Sequence, residues 1–403
     1  MLFTKLEIDN LYGFTNTCID FTYRRKLINP SILDEFLPGR EKFKVKRVCI
    51  FSGANASGKT SLGRLMCYFQ NVLDGGHRAT SAIENLKSAV ADKTRDAALC
   101  IEFVTESDYK LHKFRLRFLK SDGAEEPRMI AVRCASVAIS TSDSNTIARQ
   151  KLEDVFNAED KKEEILDLDL NTNIATLSSK LVGMRRQELS GWHYLFAETL
   201  EHGIKSHYKN RHLDLKVLNA VLKTFDTSID SVAESFSIDT STEEKKPNGF
   251  EIVFNNRNSV LINLEGEGSP KDVARLSRGT YEAISLAGFI SAMKSRQDEN
   301  TTWFMDEKMA YAHTELEQAI VATMINLLGK GSQLFYTTHN SDILAMNLPT
   351  HSFVFFKKKN GCTQAIHAEE HFKKNDRTLR NAIKNDLFGT VPDSSAILNL
   401  LDD

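Results

Sequence analysis

The chain has 403 residues, 41% of them hydrophobic, and its 52 Lys and Arg nearly balance its 54 Asp and Glu, which gives a net charge of −2. This length predicts two or three lobes, and the balance excludes binding to nucleic acid or membrane through overall charge. The six cysteines are scattered without a CxxC pair, which indicates reduced thiols and a cytoplasmic protein. Neither a signal peptide nor a run of about 18 apolar residues is present, so no membrane association is expected.

Three regions follow one another along the chain. Residues 1–144 are predicted as an N-terminal lobe, mostly strands around one helix, because stretches such as LFTKLEIDN alternate apolar and polar residues. Residues 145–228 are predicted as a helical lid insertion, because LVGMRRQELSGWHYLFAETL and LDLKVLNAVLKTF have helical spacing. In residues 229–403 strands return and then alternate with helices, which predicts a C-terminal lobe with a parallel sheet. The expected fold class is therefore α/β.

The stretch from Gly53 to Thr60, GANASGKT, fits the pattern G-x-x-x-x-G-K-[ST]. An apolar strand precedes it, and a helix with a predicted apolar face follows; that face consists of Leu62, Leu65, Met66, Phe69 and Leu73. Small residues let successive backbone N–H groups turn toward phosphate oxygens at the start of a helix. A Gly-rich turn with a chance lysine is the alternative, and both flanks disfavour it.

The predicted ligand of this loop is a nucleoside triphosphate. The residues expected to hold it are Gly53, Ala54, Asn55, Ala56, Ser57, Gly58, Lys59, Thr60 and Ser61. Lys59 is expected to reach the β- and γ-phosphates, and Thr60 is expected to bind Mg²⁺.

Hydrolysis needs further groups, and three later features supply candidates. The apolar run WFM ends at Asp306 and Glu307, where Asp306 suits Mg²⁺ coordination and Glu307 could polarise the attacking water. Another apolar strand ends at His339, which could contact the γ-phosphate. The turn LSRGT places Ser277, Arg278 and Gly279 at the start of a helix, where a hydroxyl and N–H groups meet an anion. Each feature alone is ordinary, but their order along the chain favours one site.

These segments resemble the Walker A, signature, Walker B and H-loop motifs of ABC-type ATPases in order and spacing. The opening LFTKLEIDNLYGFTNTCIDF resembles the first hairpin of the SMC and RecF branch. His313 lies six residues after Glu307. This spacing resembles that of the compact bacterial ATPases related to the OLD (overcoming lysogenisation defect) family, in which a histidine lies six residues after the corresponding Glu. The resemblance implies an ABC/SMC-type P-loop ATPase head, with a mixed-sheet lobe and a parallel sheet flanked by helices, that hydrolyses ATP with Mg²⁺.

The motifs depart from the family pattern at two places. Arg278 replaces a glycine of the usual LSGGQ, and the proline usual in DEP…LHP is missing, with Lys308 after Glu307 and Thr314 after His313. In this branch, the signature of one protomer closes on the nucleotide of another. The resemblance therefore implies that Ser277, Arg278 and Gly279 act in trans, and that two or more copies associate through ATP-sandwiched heads.

The resemblance also implies partners and a setting. Several related ATPases serve anti-phage systems of the PARIS, Septu and abortive-infection types as a sensor, scaffold or switch paired with an effector. Too few residues follow His339 for the nuclease domain of full OLD-type enzymes, so a separate nuclease or toxin is the expected effector. A RecF-like DNA-repair ATPase is the open alternative. A transporter subunit is disfavoured, because the opening hairpin and the central insertion do not fit one.

A locally basic stretch lies at residues 205–212, with Lys205, Lys209 and Arg211. It could contact nucleic acid or an acidic partner, but a solvated helix end or loop explains it more simply. DNA and a phage protein are the further candidate partners of the chain. The stretch Lys357-Lys358-Lys359 precedes Asn360-Gly361, and the segments FVFF before it and QAIHAEE after it predict a β-hairpin there.

Overall fold

A computed structural model describes residues 1–24, 31–74, 76–105, 108–120, 126–158, 163–167, 192–196, 213–238, 244–309, 312–372, 379, 381–382 and 385–390. The chain forms two compact units. The first comprises Met1–Trp192, Glu299–Asp306 and Lys330–Asp403, and the second comprises His193–Asp298 and Glu307–Gly329. The linear division into 1–144, 145–228 and 229–403 stays a prediction.

The strands in the described residues are β1 Leu2–Asp9, β2 Thr17–Asp20, β3 Phe36–Leu37, β4 Arg40–Lys44, β5 Val48–Gly53, β6 Ala97–Thr105, β7 Lys110–Phe118, β8 Met129–Ala138, β9 Glu164–Asp167, β10 Trp192–Phe196, β11 Ile229–Ile238, β12 Lys245–Phe254, β13 Ser259–Asn263, β14 Thr302–Asp306, β15 Gln333–Thr338, β16 Phe353–Lys359 and β17 Cys362–His367. The α-helices are α1 Lys59–Asp74, α2 Gly76–Ser88, α3 Asn145–Phe156, α4 Leu215–Phe225, α5 Pro270–Val273, α6 Arg278–Ser295, α7 Thr314–Leu327 and α8 Ala368–His371. None of the helices in this part of the chain combines the length and apolar character that crossing a bilayer requires.

One sheet of the first unit is antiparallel, in the order β2-β1-β6-β7-β8-β9. Strands β1 and β2 form the predicted opening hairpin, with Leu6 opposite Ile19. Helix α3 packs on this sheet through Ala148, Leu152 and Phe156, which share a core with strand residues. The sequence pattern predicted one helix among these strands, whereas both α1 and α2 form there.

A second sheet holds four parallel strands of the first unit in the order β14-β15-β5-β16, and β17 returns antiparallel to β16. All residues of β5, β14 and β15 are buried, as expected for a sheet covered on both faces. Since the strands are parallel, their carboxyl ends meet at one edge of the sheet, where ligands bind in open α/β folds. This edge carries Gly53, Asp306 and Thr338.

Helix α1 leaves this edge directly after β5. The predicted apolar face of α1 is confirmed, because each of its five residues is fully buried; they are Leu62, Leu65, Met66, Phe69 and Leu73. The hairpin predicted at Asn360-Gly361 is also confirmed, because Lys359 pairs with Cys362 across a turn in which Asn360 and Gly361 both have positive φ.

The second unit contains the antiparallel sheet β11-β12-β13. Helices α4 and α6 share its apolar core, which includes Leu218 and Leu222 of α4, Ile252 and Val260 of the sheet, and Ala283 of α6. Both helices begin at a residue that caps the backbone: Asp214 accepts from Val217 N, and Ser277 accepts from Thr280 N.

The predicted helical insertion is only partly helical in its described residues. Helices α3 and α4 fall within 145–228, but so do strands β9 and β10. The helical pattern at residues 181–200 is wrong at Trp192–Phe196, which is a strand with all five residues buried. The basic stretch at Lys205, Lys209 and Arg211 lies outside the described residues.

Candidate nucleotide-binding site

The loop between β5 and α1 is tightly packed at its two glycines. A side-chain carbon on Gly53 would lie 2.4 Å from the carbonyl oxygen of Phe356 and 2.7 Å from Ser57 Oγ. Gly58 has φ +110°, which is a conformation that L-residues rarely adopt. Only glycine satisfies both positions, so the loop has the sharp, closely packed turn that the sequence pattern predicts.

Polar groups of the loop point inward. Lys59, which is 4% exposed, donates from Nζ to the carbonyl oxygens of Gly53 at 2.6 Å and Ala54 at 2.9 Å. Its ammonium group therefore lies across the mouth of the loop. The Ser57 hydroxyl is buried and finds no hydrogen-bond partner among the described residues. Buried hydroxyls are normally bonded, so this one is available to a ligand oxygen.

The loop residues fit a phosphate group. A glycine cradle, an inward lysine and a buried hydroxyl lie at the N-terminus of α1, a helix of 16 residues whose dipole favours anions there. Asn55 and Ala56 are exposed at the top of the loop, and Thr60 and Ser61 are half-buried in the first turn of the helix.

Asp306 ends β14 at the same edge of the sheet. Its carboxylate is 2% exposed and accepts a hydrogen bond from the Thr337 hydroxyl at 2.6 Å. Asp306 and Thr337 are opposite each other in the parallel register of β14 and β15. The threonine therefore fixes the orientation of a carboxylate that the sequence assigned to Mg²⁺. Sequence reasoning missed this role of Thr337, because a threonine in a buried strand has no distinguishing pattern.

His339 follows β15 and is exposed. The strand residue before it, Thr338, pairs in register with Ser52 of β5. His339 and Gly53 therefore lie next to each other in register, at the carboxyl ends of the neighbouring parallel strands β15 and β5. Thr338 also shapes the turn after the strand, because its hydroxyl accepts from the backbone N–H of Asn340 at 2.9 Å.

The LSRGT turn belongs to the second unit and begins α6. Ser277 Oγ accepts from Thr280 N at 3.0 Å and lies 2.6 Å from Thr280 Oγ1, which donates to Asp226 Oδ2 at 2.9 Å. Ser277 and Arg278 are exposed, and the space beside Gly279 is open. Burial raises the pKa of Asp226, but hydrogen bonds from Ser228 and Thr280 outweigh it, so the pKa lies below its ordinary value. The carboxylate that anchors this turn is therefore ionised at neutral pH.

Glu307 directly follows Asp306 in the chain and has φ +43°. Positive φ is uncommon for a residue with a side chain and occurs preferentially at functional sites. The next residue, Lys308, forms an ion pair with Glu282 of α6. The Lys308 side chain thus holds the segment after β14 against α6, at the position where the ABC-type motif described above has a proline. His313 caps α7 through its backbone, without a side-chain hydrogen bond to the helix.

No protein-family model matches the chain. No curated protein matches it either. Among solved structures, the chain is similar to the head domain in "Crystal structure of the SmcHead bound to the C-winged helix domain of ScpA", with 11% sequence identity, a TM-score of 0.49, and coverage of 92% of this chain and 100% of that chain. The likeness is weak, so the site rests on this chain's own residues.

The predicted site residues thus fall into two sets. The first unit brings the Gly53–Ser61 segment together with Asp306 and His339 at one edge of its parallel sheet. The second unit carries Ser277, Arg278, Gly279 and Glu307.

Proposed function

We propose that the chain is an ATPase of the ABC/SMC type that binds ATP and Mg²⁺ at the Gly53–Ser61 loop. The observation that carries this proposal is the loop itself: two glycines that admit no side chain, a lysine held across the mouth, and a buried hydroxyl without a partner. A turn that arose by chance between a strand and a helix has no reason to bury a lysine and an unpartnered hydroxyl, because both cost free energy without a ligand.

The residues divide the chemistry among themselves. Lys59 supplies positive charge to the β- and γ-phosphates, and the helix N-terminus supplies N–H donors. Thr60 and Asp306 offer the oxygen atoms that would hold Mg²⁺, which neutralises phosphate charge when bound. Glu307 is the candidate base that orients and deprotonates the attacking water, and His339 is the candidate contact to the γ-phosphate.

A second copy of the chain completes the proposed site. Each chain contains one phosphate loop and one LSRGT turn, and Ser277 and Arg278 are exposed. In the proposed assembly, the Ser277 hydroxyl and the Arg278 guanidinium meet the nucleotide bound by the partner's loop, and two chains enclose two ATP molecules. The Asp226 carboxylate is not part of this contact; it accepts a hydrogen bond from Thr280 and thereby holds the turn.

The cellular role that we propose is an ATP-gated switch in anti-phage defence that acts on a separate nuclease or toxin. The support is the resemblance of the Glu307-to-His313 spacing to OLD-related ATPases. Plaque counts on cells that carry the gene with its neighbours, compared with cells that carry the Lys59→Ala variant, test this role. Sensitivity to DNA damage without any change in plaque counts would favour the RecF-like alternative.

ATP binding is tested by calorimetry on Lys59→Ala. The variant should lose measurable ATP binding, because Lys59 places a buried ammonium group at the carbonyl oxygens of Gly53 and Ala54 in the loop. Lys113→Ala is the matched control, because Lys113 is also buried but lies on β7 of the antiparallel sheet, where it pairs with Glu153 of α3. Both variants should lose a similar amount of stability, and only Lys59→Ala should lose ATP binding. Wild-type affinity in Lys59→Ala would show that the phosphates bind elsewhere.

A further inference from the structure

We infer that Thr363 is a positioning residue for phosphate binding, a role that rests on the proposed function. Thr363 lies on β17, is 1% exposed, and contacts the phosphate loop. Its Oγ1 donates a hydrogen bond to the carbonyl oxygen of Ser57 at 2.9 Å. The two residues are 306 positions apart in the sequence, and no motif includes Thr363.

Thr363 is itself held at both of its backbone polar groups. Its N–H donates to the carbonyl oxygen of Gly13 at 2.6 Å. Its carbonyl oxygen accepts from the Thr17 hydroxyl at 3.0 Å. Both partners belong to the N-terminal hairpin, in which Gly13 lies in the turn and Thr17 begins β2. The hydroxyl is therefore presented to Ser57 from a fixed backbone.

The hydrogen bond from Thr363 determines where the next N–H of the loop points. The Ser57 carbonyl and the Gly58 N–H belong to one planar trans peptide unit, so they point in opposite directions. When Thr363 holds the carbonyl on its own side, the Gly58 N–H faces away from β17. Backbone N–H groups that share one direction are what makes a loop an anion site.

The space around Gly58 supports the same role. A side-chain carbon on Gly58 would lie 3.0 Å from Phe14 Cζ and 3.2 Å from both Cγ2 and Oγ1 of Thr363. Phe14 and Thr363 therefore pack so closely against Gly58 that a side chain there would force them to move. Without the hydroxyl, the Ser57 carbonyl would lack its partner in a buried setting, and the peptide would gain by rotating toward another donor.

The test compares three variants of the full chain by ATP calorimetry. Thr363→Val removes the hydroxyl and keeps the shape, and it should raise the Kd for ATP about fivefold to tenfold, as expected for one lost hydrogen bond. Thr363→Ser keeps the hydroxyl and should bind ATP within about twofold of the unaltered chain. Thr302→Val is the matched control, because the buried Thr302 hydroxyl donates to the Met1 carbonyl at 3.0 Å, at the start of β14 and away from the loop.

Urea unfolding followed by tryptophan fluorescence gives the stability of each variant, because both tryptophans, Trp192 and Trp303, lie in the first unit. Thr363→Val and Thr302→Val should lose similar stability, and only Thr363→Val should lose ATP affinity. In steady-state hydrolysis, Thr363→Val should raise KM and leave kcat within about twofold, since the carboxylates are untouched.

Each outcome decides the role of Thr363. Unchanged affinity in Thr363→Val, or an equal loss in Thr302→Val, would overturn it while ATP binding by the unaltered chain stood. Equal losses in Thr363→Val and Thr363→Ser would also overturn it, because the hydroxyl would then not be the cause. Absence of ATP binding by the unaltered chain would refute the proposed function, and with it this role.

Discussion

Replacing Gly58 by alanine tests whether the backbone of the loop binds phosphate. Gly58 has φ +110°, and backbone strain of this kind costs about 1 to 3 kcal/mol for a residue with a side chain. The new methyl group would also lie 3.0 Å from Phe14 and 3.2 Å from Thr363. Alanine lowers the conformational entropy of the unfolded chain, which stabilises the folded state by about 0.4 to 1 kcal/mol. The net loss of stability is therefore expected to be about 1 to 2 kcal/mol.

The effect on ATP affinity should be at least as large as the effect on stability. To relieve the strain, the peptide units on both sides of Gly58 must rotate, which turns their N–H groups away from the phosphate. A hydrogen bond to a charged group contributes about 1.5 to 3 kcal/mol. A loss of about 2 kcal/mol corresponds to roughly a 30-fold rise in Kd.

The assay is calorimetry with ATP and Mg²⁺, together with urea unfolding followed by tryptophan fluorescence. Gly39→Ala is the control: Gly39 also has positive φ, +72°, but a methyl group there would be in ordinary contact with Tyr109, at 3.4 Å from its hydroxyl. It should lose comparable stability and keep its ATP affinity. The reasoning is refuted if Gly58→Ala binds ATP as tightly as the unaltered chain, or if Gly39→Ala is weakened equally.

Two further predictions concern hydrolysis and pH. Glu307→Gln should bind ATP but hydrolyse it very slowly, because the amide cannot accept a proton, and light scattering should show that it accumulates as an ATP-bound dimer. Adding Ser277→Arg should abolish that dimer. Equal association of the two proteins would contradict the proposal that Ser277 contacts the nucleotide of the partner chain. Burial lowers the pKa of His112 to about 4, so the unfolded chain takes up a proton at higher pH than the folded chain. The stability of the first unit should therefore be complete above about pH 6.5 and fall toward pH 4, by at most about 1.4 kcal/mol per pH unit from this group. In urea titrations, His112→Gln should flatten this slope, and an unchanged slope would assign it to other groups.

The local parts of the site could be predicted from the sequence because their causes are local. A strand, two glycines and a helix fix the loop at Gly53–Thr60 within a dozen residues, and Asn360-Gly361 fixes its hairpin turn in the same way. The long-range parts had no such signal. Thr337 and Thr363 act through partners that only the folded sheet brings near, so nothing in their own neighbourhood distinguishes them from other strand threonines.

The strand at Trp192–Phe196 shows why periodicity failed elsewhere. All five residues are buried, so the strand lacks the alternation of apolar and polar residues that marks a half-buried one. A continuous apolar run fits a buried helix and a buried strand equally well. The aromatic-rich composition WHYLF favours a strand, and it was the only signal that could have corrected the helical pattern.

The shape of the phosphate loop depends on residues from both ends of the sequence. Gly53 packs against the Phe356 carbonyl, and Gly58 lies over Phe14 and Thr363. The GANASGKT motif supplies small residues that permit the tight turn, but these contacts select one conformation among those that glycine allows. Because the selecting contacts lie in the N-terminal hairpin and in the β16–β17 hairpin, a change in either can alter phosphate affinity without touching the motif. If the loop binds nucleotide as proposed, the affinity therefore depends on the fold of the first unit as well as on the motif.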